Sequence, residues 1–580
     1  MNQNGACIVQ RDFTILLETD HPGFEYARDC LGRFAELVKS PAGFHTYRIT
    51  PLSLWNAAAG GSRPEDILGM LRNMSRWELP QSLELEIGEH MSRYGLLRLG
   101  RAPEEHDRLL LSSSSARPGL LLKLLGDKKR AFQLRFTEDS SDSLTFPAKW
   151  RGAMKQELIR MGYPVLDQAG YHPGQALPLQ LAFSSGAGGF MLRPYQQAAV
   201  EAFTGSEGEG GGGSGVIVLP CGAGKTIVGL AAMERLQCET LILTSNVTSV
   251  RQWIHEIGAK TTLPRESVGE YTGLHKQITP VTVSTYQILT HRDRAGNDFK
   301  HMRLFGERDW GLIIYDEVHL LPAPVFRATA EIQATRRLGL TATLVREDGC
   351  EQDVFSLIGP KRYELPWKAL EEQGFIAEVE CSELRIPLPD SLKDSYLKAA
   401  NREKHRIAAE NPRKLEVIRR LLARHEGSGI LIIGQYLEQL RLIAEELGVP
   451  LIAGNTSQEE RVQLFDQFRQ GEIPVLVVSK VANFAVDLPD ASVAIQISGS
   501  FGSRQEEAQR LGRILRPKAD WRTAHFYTIV SEATSEQDFA RKRQLFLIEQ
   551  GYQYGIVLEQ EGTGDDRVSV SPFRRTSVHA

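Results

Sequence analysis

From Arg193 onward the apolar positions of this chain fall into a regular alternation. Short apolar runs (VIVL, TLILT, VTVST, LIIYD, RRLGL) are each followed by segments whose apolar residues recur every three or four positions. The short runs predict buried strands and the longer spacing predicts amphipathic helices. Strand–helix alternation of this kind is the mark of a mostly parallel sheet. A second series with the same rhythm begins near Lys414: LEVIRRLLARH, GILIIGQ, LEQLRLIAEELG, PLIAG, RVQLFDQF, VLVVSK, VAIQIS and RQEEAQRLGRIL. Between the two series, Leu388 to Pro412 is charged and helical in pattern. Ahead of Arg193 the pattern differs. Runs that read as strands (FTILLE, LLLKLL, FQLRF) mix with helical stretches such as PGFEYARDCLGRFAELVKS. The expected fold class is therefore α/β, two parallel-sheet lobes preceded by a mixed α+β N-terminal region. Pro178 to Gly189 reads as a linker, and GSEGEGGGGSG, Gly205 to Gly215, as a mobile surface loop. The polar residues after Gly562 read as a disordered tail.

Composition narrows the class only a little. A chain of 580 residues implies several domains. A net charge of −4 does not announce a nucleic-acid binder, yet a local basic channel is compatible with it. The six cysteines are scattered, with no C-x-x-C pair, which argues against a zinc site or a disulfide framework and fits a reduced, cytoplasmic compartment. The first twenty residues lack the basic start and apolar core of a signal peptide, and no apolar run is long enough to span a bilayer, so no membrane partner is expected.

The chemistry concentrates at LPCGAGKTIVGL, Leu219 to Leu230. An apolar strand enters a Gly-rich turn, then Lys225 and Thr226, then a helix. The sequence meets G-x-x-x-x-G-K-[ST] except at its first position, Leu219. In such a turn, after Pro220, the N–H groups of Cys221, Gly222, Ala223 and Gly224 and of the helix start face phosphate oxygens. Lys225 would reach the β- and γ-phosphates and Thr226 would hold Mg²⁺. In LIIYDEVHLLP, Asp316 and Glu317 end an apolar strand. Asp316 suits the metal's water shell and Glu317 the attacking water. His319 could sense the γ-phosphate and inform the next strand, whose end carries Thr341 and Thr343. Gln509, Arg510, Arg513 and Arg516 recur at three- and four-residue intervals, so most of them project from one helical face suited to charge on a γ-phosphate. Gln196 has the amide to read an adenine edge, and Arg193 could stack on the base. Hydroxyls in SNVTSVRQW, in Tyr271 to Gly273 and in STYQ, Thr285 included, suit nucleic-acid phosphates.

Together these residues resemble superfamily 2 helicases, and within them the XPB family. The resemblance is carried by LPCGAGKT, DEVHLLPAPVFR, LGLTATLVRED, DLPDASVAIQISG and GSRQEEAQRLGRILRPK, and the N-terminal text LLETDHPGFEYARDCLGRFAELVKS also looks like microbial members. It implies two RecA-like lobes closing on ATP and Mg²⁺, with DNA (forked, single-stranded or duplex) across their shared face and 3′-to-5′ polarity. Repair of DNA is the implied role, and a structure-specific nuclease the implied partner. It assigns Arg346, Glu347 and Asp348 to strand separation, Arg513 and Arg516 to arginine fingers, Gln509 to the γ-phosphate and Asp487 to the ATP site. The implied domains are an N-terminal domain (1–124), a damage-recognition-like module and linker (125–186), lobe 1 (187–370), a connector with a short thumb-like segment (371–412), lobe 2 (413–562) and a tail (563–580). A duplex translocase that does not separate strands, or a DNA-binding scaffold switched by ATP, remain alternatives.

Overall fold

The computed structural model describes the chain except residues 1–4, 40–42, 104–107, 116, 126–136, 141, 183–190, 206–212, 221, 292–299, 323–324, 326–328, 330–334, 343–350, 366–369, 372, 374, 376–378, 480–490, 499–522, 539, 541–553 and 559–580. It divides into two compact units, one of Met1–Val38, Gly43–Pro220 and Gly224–Pro366, the other of Trp367–Ala580 with the stretches Lys39–Ala42 and Cys221–Ala223.

The first unit opens with a four-stranded sheet in the order Cys7–Val9, Thr14–Glu18, Phe44–Arg48, Glu36–Lys39. Helices Pro51–Ala59, Pro64–Met74 and Gln81–Arg93 cover a core that includes Ile15, Leu17, Leu54, Ile67, Leu71 and Ile87. The helix predicted across PGFEYARDCLGRFAELVKS runs only from Phe24 to Leu31, and ELVK is a strand at the sheet's edge. Gly32 closes the helix in a right-handed conformation, its N–H donating to Arg28 O at 3.0 Å. A five-stranded sheet follows, in the order Thr137–Ser140, Ser143–Pro147, Arg108–Ser113, Leu97–Arg101, Val165–Asp167. Its strands come from both sides of residue 125. LLLKLL, expected as a strand, is the helix Leu120–Leu125. An unbroken apolar run carries no period by itself, and here Leu120, Leu121 and Leu124 turn to one core on helical spacing. FQLRF lies outside the described residues.

Lobe 1 is a seven-stranded sheet in which every pair is parallel: Val268–Tyr271, Val281–Thr285, Thr240–Thr244, Leu312–Asp316, Arg336–Thr341, Ser214–Val218, Lys361–Glu364. Numbered within the lobe, that is third, fourth, second, fifth, sixth, first, seventh. The second unit holds another all-parallel sheet: Leu451–Ile452, Val475–Ser479, Ile430–Gly434, Val493–Gln496, Ala524–Ser531, Val379–Ile386, Tyr554–Leu558. Its order is again third, fourth, second, fifth, sixth, first, seventh. The similar rhythm of the two series thus reflects one repeated architecture, the two RecA-like lobes expected. The first strand of lobe 2 falls inside the stretch read as a connector, and the helices Asp390–Lys398 and Asn401–Ala409 follow it.

The segment read as a linker is tied down where it is described. Its approach and first half run along lobe 1: Leu177 N donates to Gln237 O at 2.9 Å, Leu179 N to Gln237 Oε1 at 3.0 Å, Leu181 N to Glu234 Oε1 at 2.7 Å and Ala182 N to Lys260 O at 2.9 Å. Pro and Gly break regular structure, but they do not prevent a chain from pairing its backbone with a neighbour.

Candidate nucleotide site

Three strands of lobe 1 end at one level. Val218 is in register with Thr341, and Asp316 with Leu340. Leu219 N donates to Thr341 O at 3.0 Å. The loops that leave these strands open at the carboxyl edge of the sheet, where α/β folds hold their ligands. Strand order alone therefore gathers the phosphate loop, DEVH and Thr341, which are distant in sequence.

Gly224 stands in the left-handed region (φ 80°, ψ 44°) directly before the helix Lys225–Leu236. A Cβ there would lie 2.6 Å from Gln196 Nε2, so glycine is needed both for the turn and for the contact. Gln196 sits in the first turn of the helix Pro194–Thr204, 4 % exposed, and its Oε1 accepts from Arg193 N at 2.9 Å. It caps its own helix and braces the phosphate turn. Arg193 Nη1 donates to Tyr195 OH at 3.2 Å. Pro220 and Ala223 are buried in the turn beside Gly222, Thr226 lies in the first helical turn, and Cys221 is outside the described residues.

Lys225 Nζ lies 3.4 Å from Glu317 Oε1, and Glu317 Oε2 lies 3.5 Å from His319 Nδ1. His319 Nδ1 and Thr341 Oγ1 are hydrogen-bonded at 2.6 Å in a buried setting. An ammonium, a carboxylate, an imidazole and a hydroxyl thus form one chain from the phosphate loop to the neighbouring strand. Glu317 holds a left-handed backbone (φ 52°, ψ 53°), uncommon for a residue with a side chain.

Asp316 is fixed from three sides. Oδ1 accepts from Glu317 N at 3.1 Å, Oδ2 accepts from Trp253 Nε1 at 3.0 Å, and its backbone carbonyl accepts from Tyr286 OH at 2.9 Å. Burial pushes its carboxyl up to about 6, and the Glu317 charge adds to this, while the Trp253 bond and Lys225 oppose it. Two adjacent carboxylates against one ammonium leave an excess of negative charge. With the Thr226 hydroxyl close in sequence to Lys225, this oxygen-rich donor set fits a hard divalent cation.

Thr285 is 3 % exposed, and its hydroxyl accepts from Ile288 N at 3.3 Å, capping the helix Tyr286–Leu289. Asn246 likewise caps the helix Val247–Lys260 by accepting from Ser249 N at 2.9 Å. Thr343, Arg346, Glu347, Asp348, Asp487, Gln509, Arg510, Arg513 and Arg516 lie outside the described residues. Sequence reasoning passed over Trp253 and Tyr286 as partners of Asp316. Both fall in segments singled out for nucleic-acid contact, but nothing in their spacing points at the carboxylate.

Comparison with known proteins gives three family matches. Residues 370–575 match the ERCC3/RAD25/XPB C-terminal helicase family, residues 189–346 the type III restriction enzyme res subunit, and residues 7–137 a helicase conserved C-terminal domain. The chain is 51 % identical over 554 residues to a protein of Kineococcus radiotolerans named DNA 3′-5′ helicase XPB, covering 96 % of both chains. A protein of the same name from Mycobacterium tuberculosis is 50 % identical over 553 residues, covering 95 % of this chain and 98 % of the relative. The XPB subunit of general transcription and DNA repair factor IIH from Antonospora locustae is 34 % identical over 578 residues, covering 97 % of this chain and 83 % of the relative.

Proposed function

The chain belongs to the XPB family of DNA 3′-5′ helicases, and from that premise we propose which of its residues run the motor. It is an ATP-dependent DNA helicase of 3′-to-5′ polarity, with a role in DNA repair. Lys225 holds the β- and γ-phosphates, and the amides of Gly222 to Thr226 cradle them. Thr226 and Asp316 hold Mg²⁺, which when bound neutralises phosphate charge. Glu317 orients the attacking water, and the contact with His319 passes the state of the γ-phosphate to Thr341. Arg193 and Gln196 border the base. Gln509, Arg513 and Arg516 come to this reading from their motif, as do Asp487 at the nucleotide, Arg510 and Thr343 in coupling, and Arg346, Glu347 and Asp348 in strand separation. DNA is the partner this reading needs, and the relatives' names point to DNA rather than to a nuclease. Among the described residues no helix is long and apolar enough to cross a membrane.

The observation that carries the assignment is the unbroken chain Lys225–Glu317–His319–Thr341 beside the doubly anchored Asp316. Glu317→Gln keeps size and removes the base, so ATP turnover should fall by roughly 10²–10⁴-fold. Lys225→Ala should abolish it. Each is measured with single-stranded, duplex and forked DNA and with RNA at stated salt. Turnover at the wild-type rate in either variant refutes the site.

A further inference from the structure

One buried ring, carried by the helix Val247–Lys260, touches two further elements that carry motifs. Trp253 is 1 % exposed and belongs to the helix Val247–Lys260, which opens directly after Ser245 and Asn246. Its indole N–H donates to Asp316 Oδ2 at 3.0 Å, at the end of the strand Leu312–Asp316. Its six-membered ring lies on Gly229 of the phosphate-loop helix, where a Cβ would meet Trp253 Cη2 at 2.5 Å and Cζ3 at 3.1 Å. Only a residue without a side chain lets the ring come this close. The contact leaves the indole little freedom to tilt, so a movement of its helix is passed to the carboxylate.

The two bonds to Asp316 come from different elements. Glu317 N is local and moves with the DEVH turn, whereas the Trp253 donor arrives from a helix whose start carries SNVTS. Each carboxylate oxygen keeps a lone pair after accepting one hydrogen bond. The carboxylate plane is thus set by the two donors, and its remaining lone pairs stay available.

We propose that Trp253 is a positioning residue that aims the Asp316 carboxylate. This rests on the assignment of Asp316 to Mg²⁺ made above. The indole, wedged against Gly229, holds one carboxylate oxygen while Glu317 N holds the other, so the plane the carboxylate would offer a metal is set by the helix Val247–Lys260 as well as by the DEVH turn.

The test uses the full chain. In Trp253→Phe, which keeps an aromatic ring and lacks the N–H, the Mg²⁺ concentration for half-maximal DNA-dependent ATPase rises about tenfold, as for other lost supports of metal ligands. Turnover at saturating Mg²⁺ falls by less than about threefold, a split that general loosening of the fold does not produce. Gly229→Ala retains the N–H but displaces the ring, and shifts the Mg²⁺ dependence in the same direction. In the wild type, the indole ¹H–¹⁵N resonance that Trp253→Phe removes moves on addition of Mg²⁺–ADP. A wild-type Mg²⁺ dependence in Trp253→Phe overturns the proposal, and so does a resonance that Mg²⁺–ADP leaves in place. Should Trp253→Phe fail to fold, Gly229→Ala and the resonance it displaces decide in its stead. Asp316→Asn is run in parallel. Full activity there sinks the parent assignment, whereas loss of activity there with a normal Trp253→Phe sinks this proposal alone.

Discussion

Glu317 is the residue on which the nucleotide site turns. A left-handed backbone at a residue bearing Cβ costs about 1–2 kcal/mol, and here it coincides with a carboxylate facing both Lys225 and His319. The next link, His319 to Thr341, is a short bond between buried groups. Thr341→Val keeps the shape and deletes the hydroxyl, leaving His319 Nδ1 without this partner at a cost of about 1–3 kcal/mol. If the bond reports nucleotide state to the adjoining strand, strand displacement in Thr341→Val should fall at least about tenfold further than DNA-dependent ATP hydrolysis. Equal losses, compared in one buffer, would place Thr341 in hydrolysis and not in coupling. The grouping of Lys225, Asp316, Glu317 and His319 was legible in the sequence because the phosphate turn and metal carboxylate proposed for them need fixed residue types at fixed spacing. Trp253 was not. A tryptophan on the apolar face of an amphipathic helix looks like any core residue, and only the pairing of strand and helix in space aims its N–H at Asp316. Gln196 was legible as a polar group near the site, but its place against Gly224 depends on a glycine whose Cβ is missing, a feature no side-chain pattern announces.

At the scale of elements, the lobe strands that are short, apolar and bounded by turns were legible, and the parallel rhythm follows from the helices between them, whereas Val268–Tyr271, Lys361–Glu364, Val379–Ile386, Ala524–Ser531 and Tyr554–Leu558 were not among the runs read as strands. LLLKLL was misread as a strand: leucine and lysine favour a helix, and the unbroken apolar run hid the spacing that Leu120, Leu121 and Leu124 use. The segment read as a linker, with its approach from Gln175, is held against lobe 1 as far as Ala182. Gln237 is the clamp of this strap. Its Oε1 accepts from Leu179 N at 3.0 Å and its Nε2 donates back to Leu179 O at 2.6 Å, while its backbone sits at φ 51° to end the phosphate-loop helix. Gln237→Ala removes both side-chain bonds to Leu179, along with the one from Nε2 to Glu234 O, and leaves the backbone pairing at Leu177. Hydrogen exchange at the Leu179 amide should then quicken by roughly tenfold, from the loss of about 1 kcal/mol or more of local protection, with the strand Thr240–Thr244 unchanged. Unaltered exchange at Leu179 would mean that burial of Leu179 and Leu181, not the glutamine, holds the strap.

Across the first unit, the strap is one of several ties that make the N-terminal region part of the same body as lobe 1. Asn56 Oδ1 accepts from Lys361 N at 2.7 Å, Trp55 lies 6.4 Å from Phe355, and Gln156 Nε2 donates to Asp353 Oδ1 at 3.1 Å. These contacts fall on the helix Glu351–Leu357 and the last strand of lobe 1, just after TATLVRED. Deeper still, Asp167 accepts from Arg151 Nη2 at 2.7 Å and from Lys155 Nζ at 3.0 Å. The Arg151 and Arg337 guanidinium groups both lie over Tyr171, at 5.7 and 5.6 Å from its centroid. Arg337 is the second residue of the strand that Thr341 ends, so the buried charge cluster and the His319–Thr341 bond lie at opposite ends of one strand. Burial alone would raise the Asp167 carboxyl, but Lys155 and Arg151 overcome this and hold it well below the usual carboxylate range. The unfolded chain titrates this group near 3.9, so as pH falls from about 5 the unfolded state takes up a proton that the folded state refuses. Stability from this group is thus present in full above that window and is lost as the acid limb is descended. The melting temperature of the first unit should drop accordingly, and Asp167→Asn, already lower at pH 7, should show a flatter acid limb. Asp167→Ala, which strands two buried cations, should cost about 3–5 kcal/mol. It should also separate the melting of residues 1–170 from that of lobe 1 in calorimetry, because the Arg151 guanidinium that Asp167 holds in place shares the Tyr171 ring with Arg337 of lobe 1. A single transition with an unchanged midpoint in Asp167→Ala would show that the apolar contacts around Trp55 and Phe355 suffice to bind the N-terminal region to the motor lobe.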